Sequence, residues 1–598
     1  MKKCVLLLGL LAGILLSAAS PEEPAVFGGR EMRLVFDPES GGLREIRTPA
    51  DTIRLGDGMD PVDINVGKGW YFKALRSQGK ADRLLRFRSS KQETREGRRI
   101  LTQEFASPDW EVTLTWEIPE QDGMFLCRSR WKRLSGDTEE LIGGVRFNLP
   151  GVAIGDAADC RYSIPLQWPP RDVPFSQLTP EKTGYAAPWI LGMASAVVHN
   201  GRSGVGLCVS PLSLRDYFAV ATCEGRNKVD LSTEIYPRKW MKKGDELSAG
   251  EQLVSVTGGS FGDAVAAAGK SWTEDGFKLE PHPAWTRGMV LYSSYPGGGD
   301  ASWYRDIGGL KNFRRFLLPR LKELGVGCLW LNPINPGGYA LTDYLTVHPV
   351  NGTVGDLNDL VTAAGEQDTR VILDLIPHGP TAESELGKRI LKEHPEWIAH
   401  DRDGKVKFWW GGLSMDYASP GWQEYMGEVA AGYLRKNGIS GWRVDVAGNS
   451  PDNETPTPGL LPSQSGMYGS LKLLDRVGGA MAEVRPDAIL LGECCSATHL
   501  SEAAFIYDFN LGLHVIPALA DLGAAAWAPQ AKEWLERQQQ ALPAGGVDGM
   551  MRFSETHDER KGMWRYGAGH ERALLSLCFL IPGLPLVYNG QDTGFGPH

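Results

Sequence analysis

The segment Gly441-Trp442-Arg443-Val444-Asp445-Val446 is a short apolar run that carries two opposite charges. Its valine and tryptophan side chains are typical of a buried strand, where a charge is costly unless it is paired or used. Arg443 and Asp445 are two residues apart, so both side chains point to the same side of such a strand. The segment therefore predicts a buried strand that ends in a paired arginine and aspartate.

Similar apolar runs precede and follow this segment, and most of them are separated by helical patterns. The eight predicted strands cover residues 289–292, 328–331, 371–376, 441–446, 488–491, 505–507, 550–553 and 584–588. One intervening helix is predicted over 310–324, before Gly325, and another over 420–437, before Gly438. This alternation favours a parallel (β/α)8 TIM barrel over an open doubly wound sheet. No GxGxxG motif follows a strand, which argues against a dinucleotide site.

The preceding part of the chain has a β-rich pattern instead. In residues 111–118, for example, apolar and polar side chains alternate, as a strand with one buried face requires. Many short strands of this kind predict an all-β sandwich over 22–272, which a helix over 261–272 closes. The loop Glu280-Pro281-His282-Pro283 then leads to the barrel domain, expected over 284–598. A chain of 598 residues is too long for one core, which fits this multidomain interpretation.

The N-terminus has the pattern of a secretory signal. Lys2 and Lys3 precede an apolar run over 5–16, and small residues follow it up to Ser20. We therefore expect a signal peptide over 1–20 and an exported protein, periplasmic or extracellular. No later run is long and apolar enough to predict a membrane span. The formal net charge of −10 makes nucleic acid an unfavourable partner.

Acidic side chains end several of the predicted barrel strands. Asp374 closes the third strand, Glu493 follows the fifth, and Asp558 follows the seventh. Chemistry in such barrels takes place at the C-terminal strand ends, because the loops there converge on one cavity. Two adjacent carboxyls suit retaining glycosidic cleavage, in which one attacks the anomeric carbon and the other protonates the leaving oxygen. Arg443 is expected to keep Asp445 ionised as nucleophile, and Glu493, in a less polar setting, to be the acid.

These motifs are similar to those of the α-amylase superfamily, glycoside hydrolase family 13, over about residues 286–594. The resemblance is carried by Gly325-Val326-Gly327-Cys328-Leu329-Trp330-Leu331-Asn332-Pro333-Ile334, Gly338-Tyr339, Asp343-Tyr344, Gly352-Thr353, Asp356-Leu357, Gly441-Trp442-Arg443-Val444-Asp445, Gly492-Glu493 and the run from Phe553 to Asp558. It implies a carbohydrate substrate, with Asp445 as nucleophile, Glu493 as acid/base and Asp558 as the third catalytic carboxylate. The N-terminal region resembles, more loosely, the β-sandwiches that precede catalytic barrels in other α-glycosidases.

The resemblance also implies a substrate-binding shell. It comprises Arg443, His557, Tyr339, His378 and Asp374, with Tyr339 stacking on the sugar that is cleaved. His378 occupies the position where the family has an asparagine, which commonly serves a calcium site. Calcium is therefore not supported, and no cofactor or metal is predicted.

Two further positions depart from the family pattern. Ala340 stands where an aspartate is common, and Asn449 where a histidine is common. The run Phe408-Trp409-Trp410-Gly411-Gly412 is a candidate replacement platform for sugar, although it could equally be packing.

The chain ends at His598, shortly after the predicted eighth strand. The family usually continues with an eighth helix and a C-terminal β-domain. We therefore expect a fragment truncated after strand eight, the alternative being a natural chain whose eighth position is closed by the N-terminal domain.

Three functions remain open at this point. The first is a retaining hydrolase of α-glucans or α-linked oligosaccharides. The second is a transglycosylase with the same catalytic residues, and the third is a non-catalytic carbohydrate-binding protein on a degenerate barrel.

Overall fold

The structure is a computed structural model, and it describes most of the chain in thirteen ranges. These are residues 25–29, 31–56, 59–67, 85–119, 123–165, 171–186, 195–211, 218–274, 277–296, 308–448, 450–494, 496–522 and 524–594. The predicted signal peptide over 1–20 and Asn449 lie outside them. Among the helices in these ranges, none has the length and hydropathy needed to cross a bilayer.

Two antiparallel sheets form the N-terminal part of the described chain. Their strands are β1 Ala25–Gly28, β2 Arg33–Phe36, β3 Leu43–Arg47, β4 Thr52–Arg54, β5 Val62–Val66, β6 Arg86–Arg95, β7 Arg98–Ala106, β8 Trp110–Ile118, β9 Met124–Arg133, β10 Glu140–Ile154, β11 Cys160–Ile164, β12 Arg171–Pro174, β13 Thr183–Ala186, β14 Ala196–Asn200, β15 Val205–Pro211, β16 Phe218–Glu224, β17 Val229–Ile235, β18 Lys239–Met241 and β19 Glu246–Gly258. One sheet has the order β1-β2-β3-β4-β10-β17-β16-β13, with β5 and β18 also paired to β10. The other has the order β12-β11-β14-β15-β19-β9-β8-β7-β6.

The alternation seen in the sequence explains how the two sheets pack. On β8, Val112, Leu114 and Trp116 are buried, whereas Thr113 and Thr115 between them are more exposed. Trp116 meets Phe36 of the other sheet edge to face, with ring centroids 5.2 Å apart. Burial of such apolar faces between two sheets is what stabilises a sandwich, and the predicted N-terminal β-sandwich is confirmed.

A closed parallel barrel follows the sandwich. Its strands are β20 Leu291–Ser294, β21 Cys328–Leu331, β22 Arg370–Leu375, β25 Gly441–Val444, β26 Ile489–Gly492, β27 Phe505–Tyr507, β28 Met550–Arg552 and β29 Leu584–Tyr588. β29 pairs with β20, Leu586 opposite Leu291, and this closes the barrel. The predicted TIM barrel is confirmed. The first strand lies two residues later than predicted; it extends past residue 292 because Ser293 and Ser294, although polar, pair with Trp330 and Leu331 of β21.

Helices surround the barrel strands. They are Leu310–Asn312, Leu318–Glu323, Val354–Gly365, Glu385–Glu393, Pro420–Asn437, Met467–Ala482, Ile516–Ala520, Ala524–Ala541, Gly562–Tyr566 and Ala568–Leu580. The helix over 420–437 has its predicted bounds, and Gly438 ends it with φ +71°. The helix predicted from Leu310 contains a π-helical turn over Phe313–Leu317. This turn precedes Pro319, whose missing N–H removes one bond of the regular helical pattern.

The sandwich contacts the barrel in two regions. The helix Phe261–Glu274, which continues the sandwich, packs against the barrel helix Ala524–Ala541. The second region lies beside the loops that follow β22 and β25, where Arg238 forms an ion pair with Asp452. The sandwich therefore adjoins the C-terminal face of the barrel.

Candidate active site

Strand ends bring the predicted polar residues together at one face of the barrel. Asp374 lies in β22 and Arg443 in β25, paired side by side in the parallel register. Asp445 directly follows β25, and Glu493 directly follows β26. Because all strands of a parallel barrel end at the same face, these side chains converge there.

Arg443 is the centre of this cluster. Its Nη1 lies 2.9 Å from Asp374 Oδ1 and 2.6 Å from Asp445 Oδ1. Its Nη2 lies 2.9 Å from Glu493 Oε1. The side chain is fully buried, with 0% exposure. One planar guanidinium therefore holds three carboxyls within a small, dry volume.

An aromatic wall closes one side of the cluster. The hydroxyl of Tyr339 donates to Asp374 Oδ2 at 2.7 Å and lies 2.9 Å from His557 Nε2. The Tyr339 ring is nearly parallel to the His557 ring, with centroids 5.4 Å apart. The indole of Trp330 donates to the same oxygen of Asp374 at 3.3 Å. Tyr339 is thus held in a fixed orientation by hydrogen bonds and ring contact.

Burial changes the protonation of the carboxyls. Burial raises the pKa of Asp445 to about 7, although Arg443 acts to lower it and Asp374 adds to the rise. Burial likewise raises the pKa of Glu493 to about 7, against Arg443 and with a contribution from Asp445. The pKa values of Asp374 and Asp558 rise for the same main reason, each to about 6. One arginine cannot offset the desolvation of several carboxylates, so at neutral pH the cluster retains protons.

This result corrects one expectation. The sequence predicted that Arg443 would keep Asp445 ionised and that Glu493 would have the less polar setting. The structure places Arg443 against both carboxyls, and burial raises the pKa of each despite that charge. Their titration therefore belongs to the pair rather than to either residue.

The two site histidines are neutral. Burial lowers the pKa of His378 to about 4, and the nearby Arg443 charge acts in the same direction. Burial also lowers the pKa of His557 well below its ordinary value. His378 Nε2 lies 3.4 Å from Asp445 Oδ2. His378 therefore contacts the predicted nucleophile without adding a positive charge.

The backbone after Asp445 supports Glu493. Val446 has φ +43°, which is unusual for a β-branched residue. In this conformation its N–H donates to Glu493 Oε2 at 2.7 Å. Backbone strain of this kind persists only where the surroundings enforce it, and it is concentrated at functional sites.

Asp558 lies at the open side of the cluster. Its side chain is 57% exposed, and Oδ2 lies 3.4 Å from His557 Nε2. The structure therefore brings together all eight residues predicted for the site, with Asp558 at the rim. Their catalytic and binding roles remain predictions.

Some neighbours were missed by sequence reasoning. Tyr507, the last residue of β27, accepts from Arg443 Nε at 3.1 Å, and Asn332 donates to Tyr339 at 3.2 Å. Tyr507 ends an apolar strand and Asn332 follows one, as the predicted site residues do. Their positions in the sequence could therefore have identified them as site residues. Nothing in the sequence indicated the role of the Val446 N–H, because a backbone torsion angle cannot be read from the residue type. Within the described ranges, no three His, Cys, Asp or Glu side chains are grouped to hold a metal ion.

Comparison with known proteins agrees with this geometry. The family model described as the alpha amylase catalytic domain matches residues 305–405 and 406–597. An α-amylase of Dictyoglomus thermophilum is 22% identical over 52% of this chain and 65% of its own length. An α-glucosidase of Apis mellifera is 23% identical over 51% of this chain and 63% of its own length. The chain thus spans less than two thirds of the length of these relatives.

A solved structure covers both parts of the chain. The glycoside hydrolase family 36 α-galactosidase of Geobacillus stearothermophilus aligns with a TM-score of 0.53 at 12% identity. The alignment covers 96% of this chain and 84% of that protein. At this identity the likeness concerns the fold alone, a sandwich followed by a barrel.

These findings place the barrel among the glycoside hydrolases. The match supports assignment of residues 305–597, which form most of the barrel, to the α-amylase superfamily, glycoside hydrolase family 13.

Proposed function

We propose that this protein is a retaining α-glycoside hydrolase that acts on α-glucans or α-linked oligosaccharides. The observation that carries the proposal is the contact of Arg443 with both Asp445 and Glu493, at 2.6 Å and 2.9 Å. A retaining enzyme requires two closely spaced carboxyls, whereas an inverting enzyme needs a wider gap that admits water. Burial raises the pKa of Glu493, and the neighbouring Asp445 carboxyl adds to the rise.

In the first step, an oxygen of ionised Asp445 attacks the anomeric carbon, and the bond to the leaving oxygen breaks. Glu493 gives its proton to that oxygen, so the leaving sugar departs as a neutral alcohol. The pKa of about 7 means that Glu493 is still substantially protonated near neutral pH. Arg443 and the Val446 N–H hold the two carboxyls in place during this transfer.

In the second step, Glu493 is a carboxylate and removes a proton from water. The water oxygen attacks the anomeric carbon, and the bond to Asp445 breaks, which regenerates both carboxyls. Each step inverts the configuration at the anomeric carbon, so the two steps together retain it. Tyr339, neutral His557 and Asp558 would contact the bound sugar ring, through stacking and hydrogen bonds to its hydroxyls.

The proposed substrate class is based on the names of related proteins. Proteins named α-amylase, α-glucosidase and oligo-1,6-glucosidase match this chain at 22–23% identity. We therefore propose α-linked glucose as the substrate unit.

The decisive experiment is NMR observation of the first product anomer from maltoheptaose, starch and pullulan. We expect the α-anomer from wild type, and loss of activity by at least about 10³-fold in Asp445→Asn and Glu493→Gln. Lys388→Met, at an exposed site on the helix Glu385–Glu393, is the matched control and should be unchanged.

Three outcomes would contradict the proposal. A β-anomer as first product would show inversion. Equal turnover by wild type and Asp445→Asn would remove Asp445 as nucleophile, and no turnover by wild type of any α-glucan would favour a carbohydrate-binding protein.

A further inference from the structure

A short hairpin beside the site carries three consecutive aromatic residues. Phe408–Trp409 (β23) pairs with Gly412–Leu413 (β24), so Trp410 and Gly411 form a two-residue turn. We call Phe408, Trp409 and Trp410 the aromatic hairpin. Phe408 is 65% exposed and Trp410 is 64% exposed, although large aromatic side chains are usually buried.

Backbone bonds fix the hairpin to the rim of the candidate active site. Met415 N donates to His378 O at 3.1 Å, and Leu413 N donates to Pro380 O at 2.9 Å. The two segments therefore run antiparallel, and the turn lies beyond the Leu413–Pro380 bond, on the side away from Met415. Since the His378 side chain lies 3.4 Å from Asp445, the backbone of the hairpin is bonded directly to a residue of the candidate site.

Polar contacts hold the base of the hairpin. Lys407 Nζ donates to Asp452 O at 2.7 Å and to Glu454 Oε1 at 3.2 Å. Trp240 of the sandwich donates to Glu454 Oε2 at 3.3 Å, and the Arg402 guanidinium lies 4.1 Å from the Trp240 ring. The loop after β25 and the sandwich thus hold the hairpin in place, which reduces the ordering cost of binding a ligand.

The conformation of the turn does not account for a tryptophan at position 410. Trp410 has φ +49° and Gly411 has φ +79°, the conformation of a type I′ turn. This turn favours asparagine, aspartate or glycine at its first central position. A tryptophan there is strained, and its ring is in contact with Trp409, at 5.8 Å between centroids, but otherwise mostly open to solvent.

We propose that the aromatic hairpin is a sugar-binding subsite that stacks on glucose units of an α-glucan outside the cleavage position. The proposal rests on the proposed function for its ligand class. Sugar rings present apolar C–H faces, and a flat exposed aromatic ring beside the candidate site is a complementary surface for them. The subsite favours chains long enough to reach from Asp445 to Trp410, and so sets a preference for longer substrates.

The test measures binding by calorimetry in the inactive Glu493→Gln background, with maltose and maltoheptaose as probes. Trp410→Asn should weaken maltoheptaose binding roughly 3- to 10-fold and leave maltose within 2-fold. Trp410→Phe should retain most of the affinity. Because asparagine suits the type I′ turn, Trp410→Asn should unfold at the same temperature as its parent or higher.

A matched pair gives the control. Phe408→Ala should weaken maltoheptaose binding, whereas Phe316→Ala, at a residue 61% exposed on the helix side of the barrel, should not. Equal affinities in Trp410→Asn and Phe316→Ala would overturn the proposal, as would equal weakening of both probes. Lack of binding of either probe to the parent would overturn the α-glucan assignment.

Failure of the proposed hydrolase function can be distinguished from failure of the proposed subsite. If the protein with Glu493 intact does not hydrolyse maltoheptaose while Trp410→Asn still weakens its binding, the subsite stands and the hydrolase assignment falls.

Discussion

Arg443 determines the behaviour of the site at the level of single residues. It contacts three carboxyls from three neighbouring strands or strand ends, yet it supplies one positive charge. Burial therefore outweighs attraction, and the carboxyls titrate near neutral pH rather than near pH 4. The same contacts that orient the reacting groups set the pH at which they react.

The first prediction concerns the pH dependence of catalysis. Asp445 must be ionised and Glu493 protonated, and both have a pKa of about 7. We expect a narrow bell-shaped profile of kcat/KM with its maximum close to neutral pH, falling on both sides as the pair gains or loses a proton. Steady-state rates between pH 4 and 10 measure it. A plateau from pH 5 to 9 would be inconsistent with two coupled groups.

The second prediction concerns stability. The pKa of Asp445 is raised from 3.8 to about 7 on folding, so the native state binds this proton more tightly than the unfolded state. In wild type, the contribution of the Asp445 proton to the free energy of unfolding is therefore fully present below about pH 4. This contribution is lost as the pH rises through about 7. Asp445→Asn cannot titrate. We expect it to be more stable than wild type by roughly 1–3 kcal/mol at pH 8, less than the full shift because Arg443 loses a charged partner.

Urea denaturation at pH 5 and pH 8 checks this, and the difference should shrink at the lower pH. Asp475→Asn, at a side chain 59% exposed, is the control and should lie within about 0.5 kcal/mol of wild type at both. A variant less stable than wild type at pH 8 would show that the Arg443 contact dominates.

At the level of elements, the loop after β28 positions His557 and Asp558. Its two ends are joined by Lys561, whose Nζ lies 3.0 Å from Glu555 Oε1. Glu555 is 1% exposed and Lys561 is 6% exposed. Glu555 also accepts from the Gly562 N–H, which closes the loop from the helix side. A buried ion pair of this kind is costly to break because the remaining charge has no water around it.

The third prediction follows from this pair. Lys561→Met leaves Glu555 buried without its cation, and we expect a loss of roughly 3–5 kcal/mol in the free energy of unfolding. Activity should fall too, because the loop that carries Asp558 loses its closure. Guanidinium denaturation measures the first effect and kcat/KM the second.

The double variant Glu555→Gln with Lys561→Met tests the cause. It should recover much of the lost stability because no unpaired charge remains. If the double variant were as unstable as Lys561→Met, packing of the lysine stem rather than charge would explain the loss.

At the level of the whole molecule, the sandwich and the barrel share side-chain contacts. Arg537, on the barrel helix Ala524–Ala541, donates to Ser163 at 3.1 Å and to Asp172 at 2.9 Å in the sandwich. Its side chain is 7% exposed. On the other side, the sandwich contacts the loop that carries the aromatic hairpin, where Glu139 pairs with Arg402, and the segment after Asp445, where Arg238 pairs with Asp452. The sandwich thus forms part of the surroundings of the site.

The fourth prediction concerns this contact. Arg537→Ala should lower the free energy of unfolding by roughly 1–3 kcal/mol, because buried Ser163 loses this donor and Asp172 keeps only its ion pair with Arg161. Lys532→Ala, on the same helix and 73% exposed, should change it by less than about 0.5 kcal/mol. Scanning calorimetry measures both. Identical thermograms for the two variants would show that Arg537 does not couple the domains.

Much of the architecture was predictable because it depends on local patterns. The alternation around Trp116, the strand–helix succession after residue 287 and the glycine that ends the helix Pro420–Asn437 all follow from side-chain period and backbone freedom. The strand-end rule then identified Asp374, Asp445 and Glu493 as neighbours, since parallel strands end at one face.

The sequence by itself determined which residues meet, and only the tertiary structure decided their charge states and what surrounds them. The raised pKa values of Asp445 and Glu493 depend on how completely several strands exclude water, which no local pattern encodes. The left-handed backbone at Val446, whose N–H donates to Glu493, likewise depends on a contact distant in the sequence and against local preference. Periodicity is a property of neighbouring residues, whereas desolvation and strain are properties of the assembled fold.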